Sequence, residues 1–493
     1  MAMSEVRVRD RRHRGAHVRT VLLVSLVAVA VIAVGCTAAP ESVEFPTGTG
    51  GVVSPQPAEV RGPIRLDGAA LVDSDGRTVQ IHGINMVRKA APFRVSPDEP
   101  GFAASIDELQ RAGFNGVRLG VWMASLMPEP GVVDQEYLAE VERGVDALSA
   151  ANMWVLLDFH QDVFTGFPAW ATTPSTAALP ATVDGAEQAW FLSYFSPLST
   201  QQWEDLFHRV EIADSRSAVE LMGDGVAAVA ARFADAPNVI GIDLMNEPWP
   251  GAAFLACLLG GCAERYAQLM SIYGEYTERV RDEAPTMPVW LAPFNWGAPF
   301  QGNADPGSNV GISFHSYCLH TDGGEPEQPT PVEHSLCGAV YDTVVNDALH
   351  VAAGWDAPAM LTEFGASASP LNTTRLTQIA DEQAMSWFYW DDNYYRAADD
   401  IVRSDLTRVY PQATAGTVEH QRFDPSSGRF EMTFRPDPYV SAPTVITVPG
   451  RMFPDGYEVT VAGGHVVSAA NAGQLSVVAD AGEERVVVTL VRA

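Results

Sequence analysis

The sequence predicts an α/β chain, a (β/α)8 TIM barrel followed by a small C-terminal antiparallel β-sandwich domain. Eight apolar runs of strand length recur over about 330 residues, most of them separated by stretches of helical periodicity. Polar, titratable side chains stand at almost every run's exit, where a barrel of this type gathers its chemistry. After about Leu406 the pattern shifts to short Val- and Thr-rich segments punctuated by Gly, Pro, Asn and Asp. At 493 residues the chain has room for a large barrel and one smaller module.

The N-terminus reads as an export leader. Residues 1–20 carry six Arg, and an apolar run from Val21 to Val34 follows that is short for a membrane span. Ala33-Val34-Gly35-Cys36 is similar to a bacterial lipoprotein processing site, which makes Cys36 the lipidation candidate and residues 1–36 the signal peptide. Residues 37–63, rich in Pro, Gly, Ser and Thr, read as a flexible tether. With Cys36 set aside, four cysteines remain in two close pairs. Cys257 with Cys262 and Cys318 with Cys337 are expected to form local disulfides in an oxidising compartment.

The expected barrel strands within residues 64–405 are Val79–Asn85, Gly116–Gly120, Trp154–Phe159, Val239–Met245, Pro288–Ala292, Gly311–His315, Ala359–Thr362 and Ser386–Trp390. Amphipathic stretches such as Ile106–Ala112, Glu136–Ala151, Gly225–Ala234 and Ala263–Glu283 supply the helices. Thr165–Glu220 is an irregular insertion rich in aromatics, placed either to shape the active-site face or to build a local core of its own. Residues 406–493 form the sandwich, with strands at Phe430–Phe434, Thr444–Val448, Glu458–Val461, Leu475–Val478 and Glu484–Leu490.

Glu247 and Glu363 each follow an apolar run directly, in the frames Asn246-Glu247-Pro248 and Thr362-Glu363-Phe364-Gly365. Burying a carboxylate there is costly unless it has a task. Two carboxyls converging at strand ends are the minimal machinery for breaking a glycosidic bond. Other exits offer Lys89, Arg118, His160, Asp162, Asn246, His315, Tyr317 and Trp390. Arg118 would hold one carboxylate ionised by its charge, and a less polar setting would keep the other protonated. Tyr317 would donate to the nucleophile, His160 and Asn246 would hold sugar hydroxyls, and Trp390 would stack on a sugar ring. Lys89 is the only lysine beside 30 arginines, which marks it for a compact ammonium's task. The formal charge of −30 argues against nucleic acid, and no Cys or His spacing fits a zinc site.

Gly116-Val117-Arg118-Leu119-Gly120, Asp158-Phe159-His160-Gln161-Asp162, Asn246-Glu247-Pro248, His315-Ser316-Tyr317, Thr362-Glu363-Phe364-Gly365 and Trp390 resemble glycoside hydrolase family 5. More narrowly, Val133–Leu138, Leu157–Phe164, Pro168–Thr172, Asp243–Gly251 and Tyr410–Thr417 resemble the bacterial endoglycoceramidases, over roughly residues 65–493. That resemblance implies a retaining hydrolase that cuts between oligosaccharide and ceramide, with Glu247 as acid/base and Glu363 as nucleophile. It further implies that Lys89 and Asp162 contact the lipid-proximal sugar, and that no cofactor or metal takes part. The implied partners are a glycosphingolipid and the membrane or micelle holding it, met by a monomer. Competing readings are an endogalactosylceramidase, a polysaccharide endoglucanase or mannanase, and an inactive lipid-anchored glycolipid-binding protein.

Overall fold

The computed structural model describes residues 62–180, 190–295, 300, 306–318, 331–366, 370–398 and 400–493. The leader, Cys36 and the tether up to residue 61 lie outside the described residues. Eight strands close into a barrel: β1 (His82–Met86), β2 (Gly116–Val121), β3 (Trp154–Phe159), β4 (Val239–Asp243), β5 (Val289–Leu291), β6 (Val310–Ser316), β7 (Ala359–Phe364) and β8 (Trp387–Tyr389). Every neighbouring pair is parallel, and β8 closes on β1 through Trp387–His82, Phe388–Gly83 and Tyr389–Ile84.

Helices at 102–111, 135–150, 218–233 and 263–283 lie close to where the apolar periodicity puts them. Asp134 caps the second by accepting from the Glu136 and Tyr137 amides, and Ser217 with Glu220 forms a reciprocal capping box on the third. The helix Pro331–Trp355 is less legible, because its apolar residues do not gather on one face.

The barrel interior is layered. At its N-terminal end Ile81, Trp154, Leu156, Ile240, Trp290, Met360 and Phe388 form an apolar plug. Glycines make room for the two largest rings. A Cβ on Gly83 would sit 2.2 Å from Phe388, and one on Gly311 would sit 2.4 Å from Trp290. One layer further along the same inward-facing alternation, the side chains become Arg118, Asp158, Asp243, Ser313 and Thr362, all buried.

The first barrel strand begins later than the sequence implies. Thr78–Val79 pair with Ala413 and Thr414, and the chain changes sheets at Gln80 and Ile81 before entering β1 at His82. Gln80 donates its amide to the Gln412 carbonyl, whereas the Ile81 amide already bonds the Ser386 hydroxyl. Strands at Arg65–Asp67, Ala70–Val72 and Thr78–Val79 thus share a seven-stranded antiparallel sheet with β9 (Tyr410–Thr414), Thr444–Thr447, Gln474–Ala479 and Gly464–Val466. A four-stranded sheet of Gly416–Asp424, Arg429–Pro436, Val486–Arg492 and Tyr457–Ala462 faces it. Ile446, Leu475 and Val477 from one sheet meet Phe430, Met432, Phe434, Val486 and Val488 from the other in a single core.

Candidate active site

Arg118 in β2 is the hub of the polar layer and is fully buried. Its Nη1 donates to Glu363 Oε1 at 2.7 Å and to Asn85 Oδ1 at 3.0 Å. Its Nη2 donates to Asp158 Oδ1 at 2.7 Å, Asp243 Oδ2 at 2.9 Å and Asn246 Oδ1 at 2.9 Å. Burial works to lower the pKa of the guanidinium, but Asp158, Asp243 and Glu363 outweigh it and hold it above the ordinary arginine value. Asp243 is pushed up to about 7 by burial, partly offset by Arg118.

Glu363, the last-but-one residue of β7, receives Arg118 on Oε1 and the Tyr317 hydroxyl on Oε2 at 2.9 Å. Two donors, one of them charged, thus fix the orientation of this carboxylate, one on each oxygen. Glu247 has a different setting. His315 Nδ1 lies 2.9 Å from its Oε1, the Asn295 amide donates to Oε2 at 2.9 Å, and Tyr194 Oη lies 3.5 Å from Oε2. Burial, reinforced by the negative charge of Asp162, pushes the Glu247 carboxyl up to about 7. His315 also touches the second carboxylate, at 3.4 Å from Glu363 Oε2. Burial lowers its pKa to about 4 despite Glu363, so the imidazole bridging the two acids is neutral.

The Glu247 backbone is strained, with φ at 41°, where a non-glycine residue is uncommon. Gln161 braces it. The Gln161 amide donates to two successive carbonyls, Asn246 at 2.7 Å and Glu247 at 2.9 Å, while its oxygen accepts from the Phe164 amide at 2.8 Å. Asn246 is buried and committed at both ends, its amide to the Gln161 carbonyl and its oxygen to Arg118. That nitrogen carries a second N–H beyond the one given to Gln161.

A second group lines the other side. Lys89 Nζ, on a side chain 47% exposed, pairs with Asp162 Oδ2 at 2.7 Å and sits 4.5 Å above the Trp390 ring. His160 stacks on Trp390 with ring centroids 5.3 Å apart, bonds Asp158 through Nδ1 at 2.7 Å and lies 3.5 Å from Asp162 through Nε2. Burial opposes its charge, yet Asp158 and Asp162 outweigh it and raise its pKa to about 9. Trp390 is only 8% exposed, so a cation and an imidazole already hold much of the expected stacking platform. All ten site residues expected from the sequence therefore meet in one continuous network of contacts.

Sequence reasoning passed over Asn295, Tyr194, Gln161, Asp158 and Asp243. Asn295 follows β5, whose exit from Ala292 to Asn295 offers no titratable group. Tyr194 reaches Glu247 from the aromatic insertion. That insertion does both things expected of it, since Trp203 packs against Phe164, Phe167 and Phe207 in a local core. Both disulfides are present: Cys257–Cys262 closes the turn after β4, and Cys318–Cys337 ties the chain just past Tyr317 to the helix 331–355. Among the described residues Glu247, His315 and Glu363 are the one donor set close enough for a cation, each with an atom within 4.8 Å of the others. Arg118, Tyr317 and Asn295 already occupy the carboxylate oxygens, which fits proton chemistry better than metal ligation.

The comparisons agree with this geometry. The family model described as Cellulase (glycosyl hydrolase family 5) matches residues 72–396, and that of the Glycoside hydrolase family 5 C-terminal domain matches 408–491. Endoglycoceramidase I of Rhodococcus hoagii (strain 103S) is 34% identical over 441 residues, spanning 85% of this chain and 86% of its own length. Endoglycoceramidase of Cyanea nozakii is 24% identical over 418 residues, spanning 74% and 79%. Endo-glycoceramidase II from Rhodococcus sp., solved as a ganglioside GM3 complex, superposes with a TM-score of 0.72 at 27% identity, over 86% of this chain and 99% of that one. With barrel and sandwich both matched, the chain belongs to glycosyl hydrolase family 5 and is a glycoside hydrolase of endoglycoceramidase type.

Proposed function

We propose that the protein is a secreted retaining endo-glycosidase that hydrolyses the β-glycosidic bond between the oligosaccharide and the ceramide of glycosphingolipids. One observation carries the mechanism: two converging carboxyls in contrasting settings, Glu363 held by a guanidinium and a hydroxyl, Glu247 buried among neutral partners. Glu363, on Arg118 and Tyr317, is the nucleophile. Glu247, with its pKa up at about 7, is the acid/base. Their closest approach, bridged by His315 and within 4.8 Å, fits the roughly 5–5.5 Å carboxyl separation of retaining enzymes rather than the roughly 6.5–9.5 Å of inverting ones. A Glu363 oxygen attacks the anomeric carbon as its bond to the ceramide oxygen breaks, and Glu247 gives that oxygen its proton. Water then attacks the same carbon, loses a proton to Glu247 and displaces Glu363.

The endoglycoceramidase relatives and the GM3 complex support the substrate class. So does the placement of apolar rings. Tyr194, Trp249, Phe195 and Phe254 gather on the Glu247 side, where the leaving lipid belongs. Lys89 and Asp162 hold the lipid-proximal sugar, and attachment through Cys36 would keep the enzyme on an exterior surface. The test is incubation with gangliosides, neutral globosides, galactosyl lipids and cellulose. Free ceramide is expected from gangliosides or globosides, and a Glu363→Gln variant should lose at least about a thousandfold in rate. Sugar release from cellulose alone, ceramide from galactosyl lipids alone, or an unaffected Glu363→Gln rate would each overturn the reading.

A further inference from the structure

Directly after Glu247 the chain runs from Pro248 to Ala263 without one charged residue, in a molecule whose formal charge is −30. This stretch forms a short helix, Phe254–Leu258, and a tight return. Cys257 and Cys262 are buried and joined, and their bridge pins the turn from inside. The outer face is the reverse of what folding alone favours. Leu255 is 69% and Leu259 58% exposed, four residues apart on one side, with exposed Ala256, Gly260 and Gly261 beside them. Scattered single leucines on a surface are ordinary; a rigid, charge-free pair is not.

The patch is continuous with the catalytic mouth. Phe254 stacks on Trp249 at 4.6 Å, Trp249 packs on Tyr194 at 5.0 Å, and Tyr194 Oη reaches Glu247. Phe195, 45% exposed, touches both Trp249 and Phe254 at 5.2 Å. This aromatic ladder runs from the acid/base outward on the leaving-group side. Glu204 is paired with Arg265 at 2.7 Å and accepts the Ala252 amide at 3.0 Å, so its charge is compensated at the root of the turn.

We propose that the disulfide-pinned turn is a docking surface for an uncharged or zwitterionic lipid surface, with Leu255 and Leu259 entering its apolar layer. The inference rests on the glycolipid reading above. It sets the orientation: the mouth lies against the surface, and the ceramide slides along the ladder between Glu247 and the lipid without crossing water.

The test compares the full chain with a Leu255→Ser/Leu259→Ser variant on three substrates. These are the cleaved glycosphingolipid in phosphatidylcholine vesicles, the same lipid in detergent micelles, and a water-soluble aryl glycoside of the same sugar. The vesicle rate should fall by roughly tenfold or more, the loss expected from withdrawing two leucines from an apolar layer. The soluble rate should stay within about twofold, as for exposed substitutions elsewhere. The parent protein should co-float with plain phosphatidylcholine vesicles and the variant should not. An unchanged vesicle rate, an equal loss on the soluble glycoside, or equal flotation would overturn the docking role. A parent that releases no ceramide from any preparation would instead sink the glycolipid reading, leaving flotation to decide this one.

Discussion

In the proposed mechanism Glu247 and Glu363 are one residue type set to opposite tasks by their neighbours, and the consequences are measurable one side chain at a time. Because Glu247 must be protonated to release the lipid and its pKa is raised to about 7, kcat/KM should fall as pH rises through about 7. A pH profile with no alkaline limb near there would remove Glu247 from the acid role. Tyr317→Phe takes one donor from Glu363, so kcat should drop roughly 10- to 1000-fold with KM little changed. Gln161→Ala removes the brace from a residue whose backbone strain is worth about 1–3 kcal/mol. It should lower kcat more than it raises KM, and it should also lower the melting temperature, since the buried partners of Gln161 are left unpaired at about 1–3 kcal/mol. The two acids are legible because each stands in a short polar frame directly after a buried run. Gln161 and Asn295 are not, since their contribution is a hydrogen bond to a partner 85 and 48 positions away.

At the scale of elements, β6 and the helix behind it depend on a covalent tie. Cys318–Cys337 closes a loop with a sequence separation of 19, worth about 3 kcal/mol by chain entropy. Reduction should therefore lower the melting temperature by several degrees, and an unchanged melting curve would show that packing alone holds Tyr317. At the entrance to β1, His82 is buried between Trp387 at 4.4 Å and Tyr410 at 3.6 Å. Neither ring nitrogen has a hydrogen-bond partner among the described residues. Burial, with Arg408 nearby, lowers its pKa well below the usual histidine value. The unfolded chain takes up a proton below about pH 6.5 that the folded chain refuses, so His82 costs stability as pH falls through that value. His160, raised to about 9, acts in the opposite sense; its contribution is complete below about pH 6.5 and is lost as pH rises through 9. His82→Phe should flatten the acid side of the stability profile, and denaturant midpoints at pH 5 and 7 would reveal it. Apolar runs marked the barrel strands to within a few residues. Only β1 was misjudged in kind, because nothing local tells Val79 that its partner is Ala413.

In the whole molecule the barrel and the sandwich are interlocked. The N-terminal strands at 65–79 lie in the sandwich sheet, Tyr410 donates to the Gly113 carbonyl at 2.8 Å, and Arg408 forms a buried ion pair with Asp381. Breaking that pair with Arg408→Ala should cost about 3–5 kcal/mol, because a charge is left unpaired in the interior. A chain ending at residue 407 should not yield a stably folded barrel, and the intact protein should unfold in one thermal transition. Two separable transitions would contradict this. Two modules were legible from the change in composition near residue 406; their interlocking was not, since pairing across some 330 residues leaves no trace in local pattern.

The most direct test of the double-displacement account is to trap the intermediate. A slow 2-fluoro glycoside with a good leaving group should raise the intact mass of the protein by one glycosyl unit, and peptide mapping should place the adduct on Glu363. Normal turnover with no adduct, or an adduct on Glu247, would contradict the assignment of the two acids.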